Sequence, residues 1–180
     1  MSTRSTAHFF LGNADKPDAI IYRHADGYPD GAGSDILAFL KELHENVEDN
    51  RLDDPSYLSA KYVVFLARLF NIGYRGEVKS SPLDFISVGI MNEDPGDIEY
   101  RYEIRCQGRG ELPIVKCFKM TSKADGSVIK GKAVRIPAPK SGDTRRDAAL
   151  KTPMSQAMEI KDDAPATTPL LAKVRADVAL

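Results

Sequence analysis

The chain holds no tryptophan, only two cysteines in 180 residues, and a net charge of -1. Each shortage excludes a class. Two cysteines cannot staple a small fold, which rules out a disulfide-built secreted scaffold. Cys106 and Cys117 fall on what read as neighbouring strands, and free, partly buried thiols are expected there, a disulfide across their turn being the lesser alternative. The longest apolar run, Tyr62 to Ala67, is far shorter than the roughly 20 residues of a membrane helix. The opening Met-Ser-Thr-Arg-Ser-Thr lacks the apolar core of a secretory signal, so a cytoplasmic protein with no membrane partner is expected. Near-zero charge supplies no chain-wide field to gather nucleic acid, leaving only local patches. No Gly-x-Ser-x-Gly, Walker A, His-Glu-x-x-His or paired-cysteine zinc pattern occurs, which leans against an enzyme and implies no cofactor.

What is present is an ordinary globular balance, 42% hydrophobic and 28% charged, enough for one continuous core. Residues 5–11 and 19–25 are β-branched and aromatic runs around Gly12-Asn13-Ala14-Asp15-Lys16-Pro17, a connector of hairpin length. A glycine-rich loop then leads to a helix with Ser34 as N-cap and Asp35 in its first turn, where a carboxylate complements the helix dipole. Ile36, Phe39, Leu40, Leu43 and Val47 share one helical face. A second helix starts at Asp54-Pro55 and runs through Leu58, Tyr62, Phe65, Leu66 and Leu69. Beyond Gly73 the period changes to two. Strands are predicted at 85–91, 98–107, 113–120 and 127–136, joined by the turns at 93–96, 108–110 and 124–126. The expected fold class is therefore α+β: an N-terminal β-hairpin, two helices, then a four-stranded antiparallel meander, with the helices packed on one face of the sheet. Residues 1–137 make the globular domain. From 138 to 180 the composition turns Pro/Ala/Lys-rich without aromatics, which predicts a flexible tail with a short terminal helix over Leu170 to Leu180.

The densest set of reactive side chains is Tyr22, Arg23, His24, Asp26, Tyr28 and Asp30, at a strand end entering the glycine-rich loop. Should His24, Asp26 and Asp30 converge, imidazole and carboxylates would suit a divalent metal. The plainer reading, and the favoured one, makes the segment a set of turn formers, because its spacing fits no metal-ligand or catalytic motif; no metal is expected. His8 and His44 each stand alone and read as structural or surface histidines. Arg101, Arg105 and Arg109 lie along one wet strand face and its turn, a weak pointer to nucleic acid. Glu99 and Glu103 share that face and Tyr100 and Tyr102 point to the core, so a solvated mixed-charge surface is preferred.

The opening Met-Ser-Thr-Arg-Ser-Thr together with Ile21-Tyr22-Arg23-His24-Ala25-Asp26-Gly27-Tyr28-Pro29 resembles a group of small proteins encoded by bacteriophages, prophages and other mobile elements. The likeness spans roughly the first 70 residues, and Ala25 stands where that group often has Ser or Trp. No activity is established for the group, so the resemblance implies a setting in the bacterial cytoplasm and no catalytic residue. It suggests a non-enzymatic module that binds a host protein in takeover or anti-defence. A metal-dependent hydrolase or nuclease at His24, Asp26 and Asp30 is the alternative, and a weak single-stranded nucleic-acid binder the third reading. Uncovered edge strands add homodimerisation as a further expectation.

Overall fold

The computed structural model describes residues 2–71, 87–123 and 125–151. The elements are β1 (Ser5–Leu11), β2 (Ala19–Arg23), a π-helical turn (Pro29–Gly33), α1 (Ser34–Asn46), α2 (Pro55–Asn71), β3 (Val88–Met91), β4 (Tyr100–Cys106), β5 (Ile114–Ser122), β6 (Val128–Val134) and α3 (Thr144–Lys151). The class is mixed α+β, as expected. Among the described residues, no helix is long and apolar enough to cross a membrane.

The six strands form one sheet in the order β3-β2-β1-β4-β5-β6. β1 and β2 make the antiparallel hairpin that the sequence predicts. The four-stranded meander is not what forms. β4, β5 and β6 follow one another antiparallel, but β3 pairs with β2 at the far edge, and β4 lies parallel to β1. The reason lies in residues 92–99, which do not close a hairpin. They cross the sheet from β3 to β4, three strand spacings or about 14 Å away, and on the way Asp94 is pinned by Thr6 and His8 of β1 and Arg101 of β4. The first two residues of the predicted strand 85–91 lie outside the described residues.

β1 is the central strand, and all of it but Leu11 is buried. Burial on both faces fits the strand that forms the parallel junction. One face carries Ala7 and Phe9, which join Ile21, Tyr102, Ile104, Cys106 and Cys117 against the helices. α1 contributes Ile36, Phe39, Leu40 and Leu43, and α2 contributes Leu58, Tyr62, Phe65, Leu66 and Leu69, the faces that the 3.6-residue spacing marks. Phe9, Phe39, Tyr62 and Phe65 form a ring cluster with centroids 5.3–6.1 Å apart. Burying one such side chain contributes about 1.5–3 kcal/mol. Asp54 caps α2 as read, accepting the Ser56 and Tyr57 backbone N–H groups at 3.0 and 3.2 Å.

The start of α1 departs from the reading. The π-helical turn runs straight into the helix with Gly33 already in helical conformation, and the Ser34 hydroxyl caps nothing. It donates instead to the Pro137 carbonyl, at 3.3 Å. Asp35 is not a solvated partner of the helix dipole either. It is 1% exposed and accepts from Arg23 Nη1 of β2 and from Arg146 Nε of α3, each at 2.7 Å. α3 lies past the domain end placed at 137, packs against α2 and α1, and its Ala149 joins the core. The helix expected over Leu170 to Leu180, with the rest of 152–180, lies outside the described residues.

Burial opposes the Arg23 charge, and Asp35, together with Tyr62 and Asp26, more than restores it. Asp35→Asn would leave two guanidinium groups in the interior without their shared counter-charge. A loss of about 3–5 kcal/mol of unfolding free energy is expected, read from urea midpoints; a loss below about 1 kcal/mol contradicts the central role given to this carboxylate.

Candidate functional site

The segment Tyr22–Asp30 is built around backbone contacts. Asp26 sits at φ +54°, a left-handed conformation that short polar side chains tolerate. That bend lets the Ala32 N–H reach the Asp26 carbonyl at 2.9 Å and sends the Gly27 N–H to Thr3 O at 2.9 Å. Tyr102 Oη donates to Gly27 O at 2.8 Å, and Arg23 Nε to Ala25 O at 2.7 Å. Each polar side chain of the motif has a local task or faces solvent. Tyr22 Oη and His24 Nδ1 are 3.0 Å apart on the rim, Asp26 lies 3.6 Å from Arg145, and Tyr28 is 40% exposed. Strand alternation sends Arg23 inward to Asp35 and Tyr22 to the opposite face of the sheet, which splits the predicted cluster. His24, Asp26 and Asp30 are not brought together, and among the described residues no group of three His, Cys, Asp or Glu side chains could hold a metal ion.

A more concentrated polar cluster occupies the face of the sheet opposite the helices. Thr6, His8 and Phe10 of β1 stand directly beside Arg101, Glu103 and Arg105 of β4 in the parallel register. His8 Nε2 lies 2.7 Å from Asp94 Oδ1 and 3.2 Å from Thr6 Oγ1, and Thr6 Oγ1 donates to the same carboxylate oxygen at 2.7 Å. Arg101 binds the other oxygen of Asp94. Glu103 accepts from Lys130 Nζ at 2.8 Å and has Arg105 Nη2 at 3.5 Å. The Arg105 guanidinium lies 4.2 Å over the Phe10 ring and donates to the Gly12 and Ala14 carbonyls. The side chains of His8, Asp94 and Glu103 are only 6–7% exposed. They form the floor of a cavity of about 540 Å³ walled by the β1–β2 connector and the residue 92–94 segment.

His8 therefore does not stand alone, and the face is not simply solvated. The sequence offers one signal for this cluster, the alternation of Arg101, Glu103 and Arg105 along β4. Nothing local marks Asp94, which arrives from a turn, or the pairing of His8 with Glu103, which depends on the parallel junction. Of the three arginines weighed for nucleic acid, Arg101 and Arg105 are held by carboxylates, and Arg109 stands in an exposed turn. Cys106 and Cys117 are free and buried, and burial pushes their thiols up to about 12 and about 11. They stay protonated and inert.

Burial pushes the Asp94 carboxyl upward, but the His8 hydrogen bond and charge, the Thr6 hydroxyl and Arg101 prevail and hold it below the ordinary range. Glu103 is likewise lowered, burial being outweighed by Lys130, Arg105 and Arg101. The chain matches no protein-family model, no curated protein and no solved structure.

Two outcomes follow from these contacts. A Cβ at Gly27 would sit 2.7 Å from Thr3 O, a backbone atom that cannot give way. Gly27→Ala is expected to cost about 1–3 kcal/mol by denaturant titration, whereas a neutral effect would mean that the loop closes differently. Carboxyl groups lowered on folding stabilise above their unfolded values, near pH 4, and that stability is lost as pH falls through the lower folded values. Unfolding free energy should hold from neutrality to about pH 5 and then drop, and Asp94→Asn should shallow the drop. An unchanged acid slope in the variant contradicts the assigned contacts.

Proposed function

We propose that the chain is an accessory interaction protein of a bacteriophage or other mobile element, acting in the bacterial cytoplasm by binding a host protein through the helix-free face of its sheet. The supporting observation is the chemistry at the rim of that face. Ile114 is 50% exposed and is the direct register partner of Arg105, the neighbouring Leu112 is 47% exposed, and the solvent-exposed Lys116 follows on the same strand. Apolar side chains set among charges of both signs are the usual make-up of a protein-binding rim, where burial supplies affinity and charge selects the partner. The resemblance of the first 70 residues to mobile-element proteins gives the setting. The tight packing of the Tyr22–Asp30 segment fits a scaffold role for it and leaves recognition to the sheet. Because these rim residues are exposed, Ile114→Asp with Lys116→Glu is expected to leave folding stability within about 0.5 kcal/mol. Affinity capture from bacterial lysate with the full chain should recover one stoichiometric host protein, and the double variant should lose it at least tenfold. Equal recovery by the variant, or no stoichiometric partner, counts against the proposal.

A further inference from the structure

We propose that the floor of the cavity on the helix-free face is an acid–base site that cleaves single-stranded RNA by internal transfer of its phosphodiester, a role beyond the interaction reading and independent of it. The parallel register sets His8 and Glu103 side by side on adjacent strands, and both side chains line the same cavity. An imidazole and a carboxylate lining one cavity can serve the two oxygens of one phosphodiester, one taking a proton and the other giving one. Arg101 and Arg105 flank Glu103 on its own strand, and Lys130 reaches it from β6. Arg101 lines the cavity, and its Nε is a buried donor with no hydrogen-bond partner among the described residues. Cations placed where a phosphoryl group gains negative charge lower the barrier most when already fixed in position, and their pairs with Asp94 and Glu103 fix these. The cavity, at about 540 Å³, falls within the range of small-ligand sites.

The step balances within the substrate. Glu103, ionised, takes the proton of the ribose 2′-hydroxyl, and the 2′-oxygen forms a bond to phosphorus. The bond from phosphorus to the 5′-oxygen breaks, and protonated His8 delivers a proton to that leaving oxygen. The products are a 2′,3′-cyclic phosphate and a free 5′-hydroxyl, and exchange with water returns both protons. Asp94 is a positioning residue: it holds His8 Nε2 at 2.7 Å and so fixes the orientation of the imidazole ring. DNA lacks the nucleophile. Around His8 and Glu103 the charged neighbours are Asp94, Arg101, Arg105 and Lys130, with Asp15, Lys16 and Glu93 at the cavity wall.

The test uses the purified full chain, a short mixed-sequence single-stranded RNA, its deoxy counterpart, and a chelator throughout. Cleavage of the RNA to 2′,3′-cyclic ends is expected, with the DNA untouched and a bell-shaped pH profile. Glu103→Gln, close in shape, and His8→Ala should each slow it by about a hundredfold or more, with circular dichroism confirming the fold. Asp94→Asn should lower kcat with KM little changed, the split expected of a residue that positions the acid. No cleavage by the unaltered chain at any pH, equal cleavage of DNA, or full activity in folded Glu103→Gln protein overturns the proposal. Because host-protein capture is read through Ile114 and Lys116, failure here leaves that result standing.

Discussion

The structure hangs on a single buried carboxylate. Asp35, at the start of α1, accepts from Arg23 at the end of β2 and from Arg146 on α3. It joins the hairpin, the first helix and the last described helix at one point. A lone buried charge is costly, and two guanidinium groups around one carboxylate are favourable only when all three are rigidly placed. Arg23 is placed by the Ala25 carbonyl and the Phe70 ring, 5.1 Å from its guanidinium carbon, and Arg146 lies 3.5 Å from Asp143. Arg23 Nη2 and Arg146 Nη1 still lack partners among the described residues, so the donors outnumber what one carboxylate can satisfy. The arrangement is thus strict in geometry, which makes it a device for specifying one packing of α3 and of the loop after β2 more than a source of net stability.

That loop, in turn, fixes the N-terminal end of β1. Gly27 binds the backbone at Thr3, and Tyr102 of β4 binds Gly27. A β1 strand held at one end and hydrogen-bonded to β4 cannot slip by one residue without turning Phe9 out of the core and His8 into it. The alternation is therefore shared between two functions of one strand. Its inward residues close the aromatic core, and its outward residues assemble the polar cluster in register with Arg101, Glu103 and Arg105.

How much of this was legible follows from the range of each interaction. The buried faces of α1 and α2, the Asp54 cap, the first hairpin and the alternation of β4 are written in spacings of two to four residues, and a sequence shows such periods directly. Asp35 looked like an ordinary first-turn acid because its partners are 12 and 111 residues away. The 93–96 segment looked like a hairpin turn because Asp, Pro and Gly favour bends of many kinds; which strands a bend connects is decided by distant partners, here Thr6 and His8. The Tyr22–Asp30 segment drew notice as reactive chemistry. In the fold its backbone carries the Gly27 and Ala32 hydrogen bonds, and among the described residues His24, Asp26 and Asp30 do not form a metal-holding group.

The outward cluster is harder to explain by stability than the inward one. Thr6, His8, Asp94 and Glu103 are nearly as buried as the core, and each loses solvation that its partners only replace. Well-packed apolar side chains of similar volume at such positions are often neutral or stabilising, because removing ions from water offsets most of their mutual attraction. A sheet face meant only to be covered would be more simply built from valine and isoleucine, as β-strand packing favours. Instead the face keeps an imidazole and a carboxylate side by side, surrounds them with three cations, and leaves a cavity above them. Internal ion pairing is no objection to a working role: it holds flexible side chains in fixed positions before a ligand arrives, so binding orders little that is not already ordered. The cost of that preorganisation falls on folding, and the aromatic core is where the fold has stability to set against it.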